Sequence, residues 1–166
     1  SRQSATDEAA IQDYCESLKT FDKLPQVRML EINISCPNTF GGAPFTTPER
    51  LNKLLISVDK LKLNKPVFIK MPISLNSHEF DQLTEVIIKH NVTGLAVGNL
   101  LKNRKLAKLD DNLPEAVQGN LSGKPNKDIA TEHIRRTYKK YGKKLVIIGI
   151  GGIMSAEDAY EKIKAG

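Results

Sequence analysis

Apolar positions along the chain follow two rhythms, one helical and one strand-like, and each change of rhythm marks a new element. Over 6–22, Ile11, Tyr14, Cys15, Leu18 and Phe21 recur at helical spacing behind Thr6, Asp7 and Glu8, which suit a helix start. Pro25 closes the connection, and 27–35, with Leu30, Ile32 and Ile34, predicts a strand ending in polar residues. A stretch rich in Pro, Gly, Asn and Thr follows over 36–46. Thr47 and Pro48 then open a second helix, Thr as cap and Pro in the first turn, with Leu51, Leu54, Leu55, Val58 and Leu61 as its buried stripe.

The unit repeats. Residues 66–69 predict a short buried strand, and Ser77 is the expected cap of a helix carrying Phe80, Leu83, Val86 and Ile87. Another strand is expected over 94–97. The irregular stretch 99–127 is too long for a plain connector and is a candidate lid or binding loop. Ile129, Ile134, Tyr138 and Tyr141 mark a further helix, ended by Gly142, and 145–150 is the last strand. Gly151 and Gly152 turn the chain, and Ser155 to Asp158 form a capping box for the final helix. Alternating helices and near-continuous apolar strands predict an α/β domain with a parallel sheet covered on both faces. Four strands do not close a (β/α)8 barrel, which needs ~250 residues. The chain stops at Lys164-Ala165-Gly166, where the pattern calls for another strand, so 1–166 is expected to be a single, partial domain from a longer protein, the alternative being a small open α/β domain.

Composition narrows the class. The 166 residues are 40% hydrophobic and 27% charged, which excludes disorder, a collagen-like chain and a disulfide scaffold. The longest apolar stretch, 145–154, is broken by glycines and is far short of the ~20 residues of a membrane span. No charged-then-apolar leader opens the chain, so a cytoplasmic location is expected. Cys15 and Cys36 form no CxxC pair and have no neighbouring histidine pair, which argues against a metal site and for a reducing compartment. The net charge of +6 arises entirely in the second half. Lys102, Arg104, Lys105 and Lys108 form one basic group, and Arg135, Arg136, Lys139, Lys140, Lys143 and Lys144 another. Nucleic acid or an anionic substrate would suit such a surface, and a solvated helix face is the plainer reading.

Candidate chemistry collects behind the strands. Asn33, Ser35, Cys36 and Asn38 follow the first, Lys70 ends the second, Asn99 the third, and Gly151 and Gly152 the fourth. In parallel α/β folds these ends share one face, where ligands bind. Asparagine offers donors and acceptors to a planar polar ligand, and lysine a positive charge. A glycine turn before a helix leaves N–H groups for a phosphate. The Cys36 thiol, with an ordinary pKa of ~8.5, is within reach of acid–base duty. The bland alternatives are turn-capping asparagines, a lysine reaching solvent and glycines serving only the turn. Cys15 lies on an apolar stripe and is expected in the core, and no role is expected for His78, His90 or His133.

The run Glu31-Ile32-Asn33-Ile34-Ser35-Cys36-Pro37-Asn38-Thr39 resembles the signature after the fourth barrel strand of the dihydroorotate dehydrogenase family. Leu121-Ser122-Gly123-Lys124-Pro125 and Ile148-Gly149-Ile150-Gly151-Gly152-Ile153 are similar to two later signatures of that family, in the same order, and the resemblance spans essentially the whole chain. It implies a partial (β/α)8 TIM barrel, roughly strands 4 to 7 with their helices, that binds FMN and oxidises dihydroorotate to orotate in pyrimidine biosynthesis. On that resemblance Cys36 is the base that removes the C5 proton, while the C6 hydride passes to flavin N5. Asn33, Asn38 and Asn99 fall at substrate-binding positions. Lys70, Ser122, Gly123, Gly151 and Gly152 fall at FMN-binding positions, Lys70 near the isoalloxazine and the last pair near the phosphate.

The signature is mixed. A cysteine base and Gly41-Gly42-Ala43-Pro44-Phe45 look like the soluble class 1 enzymes, whereas 121–125 and the helix from Ile129 look like the membrane-associated, quinone-using class 2. Gly98 and Leu100 stand where class 2 has threonines, and Asn120 replaces a usual glycine. Fumarate, NAD and quinone therefore all remain as electron acceptors, with membrane association if the class 2 likeness holds. A homo-oligomer is expected and a nucleic-acid partner is not. A half-barrel exposes two sheet edges and its inner layer, so the segment alone is expected neither to hold FMN tightly nor to turn over. Two alternatives stand beside this reading: a flavin barrel similar to tRNA-dihydrouridine synthases, and a non-catalytic binding fragment with a basic, RNA-facing patch.

Overall fold

The computed structural model describes residues 6–34, 45–101, 103 and 119–166. Along the chain these form α1 (Asp7–Asp22), β1 (Leu30–Asn33), α2 (Pro48–Asp59), β2 (Val67–Met71), α3 (Ser77–Ile87), β3 (Gly94–Val97), α4 (Lys127–Tyr141), β4 (Val146–Gly149) and α5 (Ala156–Ala165). A 3-10 turn, Lys124–Asn126, leads into α4. Every expected helix and strand is present, with two local differences. The first strand begins only at Leu30, whose N–H donates to the Pro66 carbonyl, 2.9 Å away; Pro66 has no N–H to return, so the ladder cannot extend backwards. The cap of α3 is Asn76 rather than Ser77. The Asn76 side chain accepts from the His78 and Glu79 N–H groups, and Glu79 accepts from the Asn76 N–H. Both residues are good caps, but only Asn76 has a glutamate three positions on to complete the box.

The four strands are all parallel, in the order β1-β2-β3-β4, with no reversal. That singly wound order decides which faces are covered. Leu30, Ile32, Val67, Ile69, Met71, Leu95 and Val97 alternate along the strands and join one core with Leu18 of α1, Leu51, Leu54, Leu55 and Val58 of α2, Phe80, Leu83 and Ile87 of α3, and Ile134 and Tyr141 of α4. The intervening residues point to the opposite face. They are Glu31 and Asn33, Phe68 and Lys70, Gly94 and Ala96, and Val146 and Ile148, aligned rung by rung by the register. Helices therefore cover one face, not two as expected. The other face carries charged and amide residues beside the buried Phe68 and Ala96.

Polar links join successive helices. Asp7 of α1 pairs with Arg50 of α2, and His90, after α3, bonds Asp59 at 2.7 Å and Asn52 at 2.9 Å. Asp81 of α3 accepts from Arg136 of α4 at 2.8 Å, and Lys127 of α4 pairs with Asp158 of α5 at 2.6 Å.

Beyond β4 the pairing runs on, the Ile150 N–H donating to the Val97 carbonyl at 2.9 Å. The close approach is made at Gly98, whose φ is +148° and where an added Cβ would lie 2.2 Å from the Ile150 carbonyl oxygen. Gly98→Ala is expected to destabilise the fold by about 2–5 kcal/mol, combining a backbone clash with an unfavourable φ. A urea unfolding curve checks this, and an unchanged midpoint would contradict the packing described.

Candidate active site

The carboxyl ends of the strands bring the candidate residues together in two groups. In the first, Asn33 of β1 and Lys70 of β2 are Cα partners on one rung, so both side chains stand side by side on the face that the helices leave uncovered. Lys70 is half-buried, and the ion pair it makes among the described residues is a loose one, 3.9 Å from Glu31. A cation so placed keeps most of its field for whatever lies over the sheet. Tyr14 of α1, unnoticed as a site residue in the sequence, holds the end of β1: its hydroxyl donates to the Asn33 carbonyl at 2.8 Å. The same ring meets the fully buried Phe45 edge-on, 5.8 Å between centroids. Tyr14 thus anchors the chain on both sides of 35–44. Cys36 and Asn38 fall within that stretch, outside the described residues, as do Lys102, Arg104, Lys105 and Lys108 of the first basic group.

The second group surrounds the start of α4. Leu101 and Leu121 form an isolated antiparallel bridge, exchanging N–H···O bonds of 2.8 and 3.0 Å, which closes the base of the long excursion between them. Asn99 thereby comes near Ser122 and Gly123. Its own side chain accepts from the Leu100 N–H at 2.8 Å, an arrangement that turns the amide back on its loop. Asn126, which the sequence reading also missed, spans the group. It is buried, and its Nδ2 donates to the carbonyls of Asn99 at 3.2 Å and Leu121 at 3.1 Å. On the other side Gly152, with φ +67°, lies so close to α4 that a Cβ there would be 2.4 Å from Lys127 Cα. Apart from the glycines and their chain neighbours, no heavy atom of the described residues lies within 4 Å of the Cβ positions of Gly123 and Gly151, so their backbones are open to a ligand. Asn99, Gly123 and Gly152 therefore meet at the start of α4, a setting suited to an anion.

Charges elsewhere are spent on packing. Arg136 and Lys140 pair with Asp81, and Arg135 with Glu132, so three of the six cations of the second basic group are held in ion pairs. Cys15 is half-buried rather than in the core, because α1 flanks the edge of the sheet; burial still pushes its thiol pKa up. Among the described residues there is no cluster of side chains able to hold a metal ion, and no helix is long and apolar enough to cross a membrane.

Comparison with known proteins agrees with the fold. A crystal structure of ligand-free DHODH from Eimeria tenella superposes with a TM-score of 0.85 at 23% identity, covering 99% of this chain and 49% of that one. The sheet is thus part of a TIM-barrel fold, with the uncovered face inward. Dihydroorotate dehydrogenase (quinone) from Mycolicibacterium smegmatis is 30% identical over 159 residues, 96% of this chain and 44% of the relative. The namesake from Synechocystis is 33% identical over 95% of this chain and 42% of the relative. The mitochondrial one from Schizosaccharomyces pombe is 36% identical over 94% and 36% respectively. The chain thus spans less than half the length of these relatives, each of which carries quinone in its name. With residues 3–166 matching the dihydroorotate dehydrogenase family, the chain belongs to that family.

Proposed function

We propose that this segment forms the catalytic side of a barrel that oxidises dihydroorotate to orotate with FMN, passing the electrons to a quinone. The observation that carries this reading is the shared strand-end rim. There Lys70 and Asn33 stand on one rung, and Asn99, Gly123 and Gly152 meet at the start of α4. The donor set fits FMN: a weakly paired cation for the flavin ring, and open glycine backbones beside a helix N-terminus for the phosphate.

In this reading Cys36, as thiolate, takes the proton from C5 of the substrate while a hydride leaves C6, so that the C5=C6 bond forms. FMN supplies the acceptor for that hydride. Asn33, Asn38 and Asn99 hold the pyrimidine ring and its carboxylate through amide hydrogen bonds. Lys70 places positive charge where the negative charge develops. Ser122, Gly123, Gly151 and Gly152 seat the cofactor. Quinone is favoured as acceptor by the names of the relatives. The test takes the gene product carrying this segment, reduces it with dihydroorotate without oxygen, and adds each acceptor in turn. Reoxidation by a short-chain quinone should be at least ~10-fold faster than by fumarate or NAD, a margin of 1.4 kcal/mol in barrier. Faster reoxidation by fumarate or NAD would move the assignment to the soluble class.

A further inference from the structure

Asn126 joins the two sides of the site. Its backbone N–H donates to the Gly123 carbonyl at 3.0 Å, and its side-chain Nδ2 donates to the carbonyls of Asn99 and Leu121. One amide therefore links the segment leaving β3 to the turn that leads into α4. The Leu121 carbonyl is shared, since it also accepts from the Leu101 N–H at 2.8 Å. Asn126 is 2% exposed, and its Oδ1 is buried with no hydrogen-bond partner among the described residues.

That half-satisfied state separates two explanations of the residue. A buried carbonyl without a partner costs free energy, so an asparagine here is a poor means of gaining stability, and an apolar side chain of similar size would fill the space as well. What leucine could not supply is direction: two N–H groups that fix two carbonyls relative to each other. The excursion between Leu101 and Leu121 has the described bridge at its base, and Asn126 braces that bridge from the α4 side.

We infer that Asn126 is a positioning residue. Through the carbonyls of Asn99 and Leu121 it sets the spacing between the substrate-side loop after β3 and the cofactor-side turn at Ser122 and Gly123. The inference rests on the proposed FMN site for its functional half, and on geometry alone for its structural half.

Asn126→Leu and Asn126→Asp test it in the gene product carrying this segment. Leucine removes both donors and the unpartnered Oδ1. Aspartate keeps the shape but turns a charged acceptor towards two carbonyls. In both variants the Leu101 and Leu121 amides should exchange with solvent at least ~10-fold faster, the equivalent of about one lost net hydrogen bond. The Ile32 and Ile69 amides in the sheet should be unaffected. The dissociation constant for FMN should rise by a similar factor. In Asn126→Leu the thermal midpoint should stay near the parent value, which a merely structural role would not allow. Unchanged exchange at Leu101 and Leu121 would overturn the brace. Faster exchange with unchanged FMN affinity would overturn its link to the cofactor side. A parent protein that binds no FMN would sink the functional reading, while the exchange data would still decide the brace.

Discussion

Cys36→Ala is expected to abolish nearly all dihydroorotate-driven flavin reduction while leaving the bound FMN in place. General-base removal of a proton is worth about 10²–10⁴ in rate, and alanine retains none of it. The pH profile carries the same information with a definite sign. A base must be deprotonated to act, so the parent rate should rise with pH through the pKa of the thiol and then level off; an unperturbed thiol has its pKa near ~8.5. In Cys36→Ser the rise should shift to higher pH, because a hydroxyl gives up its proton far less readily. Cys15 is the control: it is half-buried on α1, it is not among the candidate site residues, and burial raises its pKa. Cys15→Ala should leave flavin reduction within about 2-fold of the parent, as expected of a residue outside the reacting groups. Single-turnover reduction followed in a stopped-flow instrument separates these cases, and a Cys36→Ala protein that reduces its flavin at the parent rate would remove the cysteine from the mechanism.

Lys70→Met should have the next largest effect, slowing flavin reduction by about 10²–10³, the scale found for losing one charge-stabilising donor in a water-poor site. The reason lies in the sheet. Lys70 projects from the same rung as Asn33, and its ion pair with Glu31 is 3.9 Å long, too loose to neutralise it. Lys70→Arg keeps the charge but not its compact shape and should recover only part of the rate. Glu31→Gln provides a check of opposite sign, since removing the nearby carboxylate should leave the rate equal or slightly higher. The same stopped-flow measurement decides the point. A methionine variant as fast as the parent would mean that Lys70 merely reaches solvent.

Much of this was legible in the sequence, and the exceptions have physical causes. Helix stripes such as Leu51, Leu54, Leu55 and Val58 follow directly from their spacing, and the structure buries all four. The capping box of Ser155 and Asp158 likewise depends only on neighbours in the chain. The one-sided cover of the sheet was harder, because apolar strands look alike whether the second face meets helices or other strands. The clue was the alternation of Leu30 and Ile32 with Glu31 and Asn33. Gly98 stood out in the sequence only as a departure from the family pattern; the close Ile150 carbonyl that requires it is 52 positions away. Tyr14 and Asn126 escaped notice for the same reason. A tyrosine at helical spacing resembles any core residue, and an asparagine after a proline resembles any turn. Only the fold brings them to carbonyls 19 and 27 positions away.

The most direct test of the central claim is the visible spectrum of the gene product carrying this segment, recorded as dihydroorotate is added without oxygen. The spectrum should show a bound flavin whose absorption band bleaches as orotate appears in equal amount. A flavin band that stays unchanged when dihydroorotate is added, with no orotate formed, would contradict the claim.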